Sequence, residues 1–302
     1  MRKALYRPET MLVLCTVIWG GTFPAVKVAL SFTTPWIIVA FRFAVAGIIF
    51  AVLYRRAAFR VAPVIWLRGA ILGFFFFIGF TLQSMGLEYT TTSRSAFITE
   101  LLVLFTPILY FILYRRLPSR YTLAGAVLVL AGLYYLTSPE GFMDWNYGDW
   151  LTLACAAAFS AYIIGVGAWS NAETRRPLAT LQSLTVAFLA LPMAFGKGVY
   201  VPPALDLWLA LLYLTLPGTV FVIMLQMRFQ PLTTPSRAGV IFALEPVFAT
   251  AYAFLLALEP FSNRGVFGAV IVTAGVVWSE AGHLFFLSAP HSSQSQKELP
   301  PD

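Results

Sequence analysis

The sequence predicts an all-α integral membrane protein, with ten transmembrane helices arranged as two inverted five-helix repeats. Three observations carry that expectation. The 302 residues are 59% hydrophobic and 11% charged, with a mean hydropathy of +0.79, whereas a soluble domain is about 25% charged. So much apolar surface needs lipid to cover it. Apolar runs recur as far as residue 287, which excludes a signal peptide followed by a soluble body. Finally, the chain matches itself at an offset of 143 residues.

A helix needs about 20 mainly apolar residues to cross the hydrocarbon core. The runs that satisfy this are 10–30, 35–54, 65–87, 93–114, 120–138, 148–168, 177–196, 206–227, 234–257 and 263–285. Short segments rich in Pro, Ser, Thr, Gly or charge join them. MRKALYRPET imitates the start of a signal peptide, but no small-residue cleavage site follows, so the first run is read as a retained span.

Orientation follows from Lys and Arg in the loops. With the N-terminus in the cytoplasm, 15 of the 20 basic residues fall on the inner side and three (Arg94, Lys197 and Arg264) on the outer side. Lys27 and Arg42 fall within spans. This asymmetry explains the net charge of +7 without nucleic acid as a partner, and an odd number of spans would set the two halves in conflict. The expected layout is a cytoplasmic N-terminus (1–9), a first repeat (10–138), an acidic external linker (139–147), a second repeat (148–285) and a polar, disordered cytoplasmic tail (286–302). The expected location is the bacterial inner (plasma) membrane, with both termini cytoplasmic. Cys15 and Cys155 lie in separate apolar runs, and His283 and His291 at the C-terminal end, so neither a disulfide framework nor a metal site is expected.

The repeat is specific. At the 143-residue offset Gln83 falls on Gln226, Ser93-Arg94 on Ser236-Arg237, Gly125-Ala126-Val127 on Gly268-Ala269-Val270, and Ala131-Gly132 on Ala274-Gly275. From Leu82 to Leu133, 18 of 52 aligned pairs are identical without a gap. Because each copy holds five spans, an odd number, the second is inserted upside down. Inverted repeats are a hallmark of secondary transporters that bind substrate between the copies near mid-membrane. The plainer reading is duplication that only builds a stable bundle.

Four charges stand out as candidates for the interior of the spans: Lys27, Arg42, Glu100 and Glu245. Such a residue costs about 2.5–3.5 kcal/mol at a helix centre, so it usually faces the bundle interior or water. Lys27 either snorkels to the outer headgroups or lines a wet mouth. Arg42 and Glu100 lie at similar depth from the outer end, so either they form a structural pair or they serve substrate and proton; Arg42 has the further option of capping backbone carbonyls. Glu245 precedes Pro246, which removes a backbone donor and kinks the helix. In the first span, IWGGTFPAVKVAL, Gly20 and Gly21 allow close helix approach and Pro24 bends the outer third. They either open a mouth at Lys27 or serve packing alone. Gln83 and Gln226 are buried amides that need partners, in substrate or in neighbouring helices. Trp19 and Tyr162 offer stacking surfaces or simple packing.

Several short motifs resemble the drug/metabolite transporter superfamily, EamA type. They are Trp19-Gly20-Gly21-Thr22-Phe23 with Lys27, Phe41-Arg42-Phe43, Gly148-Asp149-Trp150-Leu151 and Leu244-Glu245-Pro246-Val247-Phe248-Ala249. The resemblance covers residues 8–285 and implies a ten-span transporter that exports amino acids or other metabolites, or that carries nucleotide sugars or triose phosphates. The chain departs from that pattern where Leu102-Val103 stand opposite Glu245-Pro246, and where Arg115-Arg116 replace a glutamate at the fourth span's inner end.

The leading expectation is a secondary transporter exporting a small metabolite such as an amino acid. No G-x-x-x-x-G-K-[ST] occurs, so protons or exchange would supply the energy. The expected partners are a small-molecule substrate, protons and the lipid bilayer, with no cofactor; the oligomeric state is not legible. The alternatives are an exchanger of nucleotide sugars or phosphorylated metabolites, a non-transporting membrane protein, and an intramembrane enzyme. The last would want clustered His, Asp and Glu or a nucleophile with a base, which the spans lack.

Overall fold

The structure, a computed structural model, describes residues 7–137, 145–196, 201–256 and 262–287. The first six residues, most of the acidic linker with Glu140 and Asp144, Lys197 and the tail beyond 287 lie outside them. Ten helices follow in chain order: α1 (Pro8–Leu30), α2 (Pro35–Phe59), α3 (Pro63–Tyr89), α4 (Thr92–Tyr114), α5 (Arg120–Thr137), α6 (Tyr147–Trp169), α7 (Arg175–Gly196), α8 (Leu205–Leu232), α9 (Pro235–Leu255) and α10 (Asn263–Leu287). No strand occurs among the described residues. Eight helices, α1 to α4 and α6 to α9, are long and apolar enough to cross a membrane, and α5 is apolar over the shorter stretch Arg120–Leu136. Ile48, Val52, Phe188 and Leu209 are each more than half exposed, on faces suited to lipid.

Local sequence sets the helix ends. Proline opens α1, α2, α3 and α9, where its missing N–H costs nothing. Thr34, Thr91 and Thr234 accept from the backbone N–H three residues on, at 3.4, 3.2 and 3.3 Å. Asn146 and Asp149 form a reciprocal capping box at the start of α6.

Four helices are interrupted near their middle. α1 breaks at Gly21, α4 at Glu100-Leu101 and α9 at Ala243-Leu244, while α8 widens into a π-helix over Leu216–Phe221. The breaks in α4 and α9 stand 143 residues apart and share backbone bonds. Leu101 N–H donates to the Ile98 carbonyl as Leu244 does to Ile241, and Leu104 donates to Leu101 as Val247 does to Leu244. The self-match in the sequence thus has a counterpart in local structure. Pro24 and Pro246 lie in the first turn of the restarted segments, where a proline leaves no helical bond unmade.

Around these helices α2 packs along α7, α3 along α6 and α7, and α5 along α10. The seam between α5 and α10 depends on glycine. A Cβ on Gly268 would fall on the backbone of Leu136, and one on Gly275 would stand 2.9 Å from the Gly125 carbonyl oxygen. Gly268→Leu is therefore expected to part the two helices at a cost of about 1–3 kcal/mol, read as a lower Tm in detergent. Gly196→Ala is the control, since a Cβ there meets nothing within 4 Å.

Candidate functional site

The interrupted parts of α1, α4 and α9 meet α3, α6 and α8 around an internal cavity of ≈ 40 Å³. That is room for a few waters, so the site is narrow in this conformation. Trp19 reaches the cavity from α1, Gln83 from α3, Glu100 from α4, Gln226 from α8 and Glu245 from α9. Phe76, Phe80, Phe159, Tyr162 and Phe242 make an aromatic wall. Phe76 stacks on Tyr162 with centroids 4.0 Å apart, and Trp19 meets Phe242 edge-on at 5.4 Å.

Glu100 is 1% exposed, and neither carboxylate oxygen has a hydrogen-bond partner. Glu245, also buried, is the first residue of the second segment of α9. Glu100 sits just ahead of the second segment of α4, which begins at Leu102. Glu245 therefore stands at the electropositive end of a short helix segment, while Glu100 lies between two segments, capping the C-terminal end of Thr92–Thr99 and preceding the start of the next. The breaks that interrupt the backbone are what place them there.

The amides differ in how firmly they are held. Gln83 Nε2 donates to Thr99 Oγ1 at 3.4 Å. Gln226 accepts from Tyr162 Oη at 3.3 Å and donates to Gln230 Oε1 at 2.8 Å, and Gln230 in turn donates to the Ile163 carbonyl at 2.7 Å. Gln226 is thus fixed by a relay, while Gln83 retains capacity toward the cavity.

Arg42 and Lys27 do not line the cavity. Arg42, 2% exposed, donates through Nε to Thr219 Oγ1 and through Nη2 to the Gly218 carbonyl at 2.8 Å. Its guanidinium lies over the Phe80 ring, 4.2 Å from the centroid. Gly218 belongs to the π-helical stretch, whose backbone ladder is displaced from the α pattern, and its carbonyl also accepts from Trp19 Nε1 at 3.1 Å. Arg42 thus contacts a backbone carbonyl and makes no bond to Glu100. Lys27 Nζ donates to the carbonyls of Leu87 at 2.6 Å and Thr90 at 2.8 Å, at the C-terminal end of α3. Gly20 and Gly21 serve close contact: a Cβ on Gly20 would stand 2.9 Å from the backbone nitrogen of Ala249 in α9, and one on Gly21 would meet the Tyr213 hydroxyl of α8.

A second polar cluster stands beside Lys27. Arg94 donates to both oxygens of Asp149, at 2.9 and 2.6 Å, and Asp149 is fully buried. Thr90 Oγ1 donates to Asp149 at 3.3 Å, and Asn146 Nδ2 to the Tyr89 carbonyl at 3.2 Å. With Lys27, these contacts tie α1, α3, α4 and α6 together at one end of the bundle. The sequence marks Arg94 through the Ser-Arg repeat and Asp149 through Gly-Asp-Trp-Leu, yet nothing in it pairs them. Asp149→Ala takes from Arg94 the carboxylate it holds and is expected to cost about 3 kcal/mol, read as a lower Tm in detergent, whereas Arg116→Ala, at an exposed position, is expected to change Tm little.

A buried site with two carboxylates, enclosed by interrupted membrane-length helices, is the interior of a multi-pass membrane protein. The chain belongs to the EamA-like transporter family, whose model matches residues 7–138 and again 146–280. It is 32% identical over 275 residues to an uncharacterized transporter of Archaeoglobus fulgidus, covering 91% of this chain and 86% of that one. It is 23% identical over 288 residues to a WAT1-related chloroplastic protein of Arabidopsis thaliana, covering 88% of this chain and 68% of the other. A crystal structure with 17% sequence identity superposes with a TM-score of 0.74 over 93% of this chain and 99% of its own, which establishes a shared fold.

Proposed function

We propose that this transporter is a secondary active exporter of small amine-bearing metabolites, amino acids foremost, with protons as the counter-substrate. It would sit in the bacterial inner membrane with both termini in the cytoplasm. Two inverted five-helix units, rocking about the cavity, would expose it to one side and then the other. The observation that carries this reading is Glu100: a buried carboxylate facing the cavity with no protein partner. Such a group needs a counter-charge, and a proton and an ammonium group each supply one. Glu245 lines the same cavity, and the aromatic wall suits an apolar side chain on the substrate. In this conformation the Arg94–Asp149 cluster would seal the outer end, and opening outward would require that ion pair to part.

Exchange of a nucleotide sugar or phosphorylated metabolite is the weaker reading. It needs free cations at the cavity, whereas the donors of Arg42 are turned to Gly218 and Thr219 and Lys27 caps α3. The test is counterflow in proteoliposomes with a labelled panel of amino acids, amines and nucleotide sugars, with and without an imposed pH gradient. Saturable exchange of an amine-bearing compound, accelerated by the gradient, is the expected result. Exchange of nucleotide sugars alone would replace this reading with the second, and indifference to the gradient would remove the proton.

A further inference from the structure

A second concavity, of ≈ 210 Å³, lies where one end of α2 meets the start of α7 and the later part of α8. Arg175 and Arg176 of α7 and Arg228 of α8 line it together with Tyr54 of α2. Ala179, Met224 and Met227 complete the wall, and no acidic residue takes part. Glu173, in the adjoining turn, is exposed and does not line it. Arg176 lies 5.8 Å from the Tyr54 ring centroid and Arg228 lies 5.1 Å from that of Phe229, so aromatic rings support two of the guanidinium groups. Among the described residues none of the three arginines has an ion-pair partner.

Basic residues at one set of helix ends are ordinary in a membrane protein, where they set orientation. Three that converge from two helices on one hollow, without a counter-charge, are not explained by that rule. Like charges held together repel, and an anion in the hollow removes the repulsion. Guanidinium groups match phosphate oxygens with paired N–H donors. The apolar part of the wall favours a phosphate that carries hydrocarbon: Met224 is 40% exposed, and Val52 and Leu53, just before Tyr54, are 68% and 59% exposed on the lipid-facing side of α2.

We propose that this hollow is a phosphate-binding site occupied by the headgroup of an anionic phospholipid, its phosphodiester held by Arg175, Arg176 and Arg228 and its acyl chains laid along α2 and α8. This is independent of the substrate taken by the central cavity.

The test uses the full-length protein in neutral detergent, with dioleoyl phosphatidylglycerol, dioleoyl phosphatidylcholine or inorganic phosphate added. Bound lipid is counted by native mass spectrometry and Tm is followed in parallel. Phosphatidylglycerol is expected to bind and to raise Tm, less so at high salt, while phosphatidylcholine and inorganic phosphate leave Tm unchanged. Each basic residue near such a headgroup is worth about fivefold in affinity, so Arg175→Gln and Arg228→Gln should each weaken binding by about that factor and the triple Gln variant by about a hundredfold. If the triple variant does not fold, the two single variants decide the question. Equal binding of phosphatidylcholine, or full binding by the single variants, would overturn the proposal. A Tm rise produced by inorganic phosphate alone would replace the lipid with a soluble phosphate ester.

Discussion

Replacing Glu100 by glutamine is expected to stabilise the protein while abolishing gradient-driven transport. Glutamine keeps the shape of glutamate and removes the ionisable group. Neither carboxylate oxygen of Glu100 is hydrogen-bonded, and the side chain is 1% exposed. A buried acid without hydrogen-bond partners costs a fold about 1–3 kcal/mol, and glutamine escapes the further cost of carrying a charge there. A gain in Tm joined to a loss of function marks a residue kept for its chemistry rather than for the fold. Exchange of substrate across liposomes without a pH gradient is expected to survive, because the cavity and its aromatic wall are unchanged. Uphill accumulation driven by the gradient is expected to fall to background. Glu245→Gln should weaken both, since Glu245 also begins a helix segment whose dipole favours an anion. If Glu100→Gln lowers Tm and leaves uphill transport intact, Glu100 has a structural partner in another conformation and the proton does not travel through it.

Arg42→Ala carries the second large effect, and it runs the other way. The guanidinium joins α2 to the π-helical stretch of α8 through Gly218 and Thr219 and rests on Phe80, an aromatic that lines the cavity. Truncation removes a desolvated cation–π contact worth about 2 kcal/mol and charge-assisted hydrogen bonds worth about 1.5–3 kcal/mol each. Tm in detergent should therefore fall sharply. Arg42 acts as a positioning residue, so in the fraction that stays folded the maximal rate should drop with little change in KM. Arg42→Lys retains the charge but not the planar fork, and is expected to recover only part of the stability. A raised KM with unchanged Tm would instead place Arg42 on the substrate.

The helices, and two of the four interruptions, are legible in the sequence. Apolar length fixes the helices to within a few residues, and Gly21-Thr22-Phe23-Pro24 and Glu245-Pro246 advertise two of the breaks. The break at Glu100-Leu101 carries no proline or glycine. It becomes visible only through its counterpart 143 residues on. The repeat likewise points to Gln83 and Gln226, which meet at one cavity. Two things stay hidden. Lys27 contacts carbonyls 60 and 63 residues away, and a backbone acceptor has no sequence signature. Arg42 finds its acceptors in Leu216–Phe221, where nothing in the sequence marks a widened turn. A lone intramembrane cation announces that it needs partners, but its sequence position does not say which helix supplies them.

The widened turn in α8 also sets the phase of everything that follows it. Residues 73–78 of α3, at the equivalent offset, form ordinary α-helix, so the two copies wind differently at this point. A wider turn holds the equivalent of one added residue, and each residue of an α-helix advances the direction of a side chain by roughly 100°. Restoring the regular winding with no residue removed would turn everything downstream by about that angle, swinging Gln226 away from Tyr162 and Arg228 away from Arg175 and Arg176. A single local irregularity thereby keeps the central cavity and the arginine-lined hollow in register along one helix.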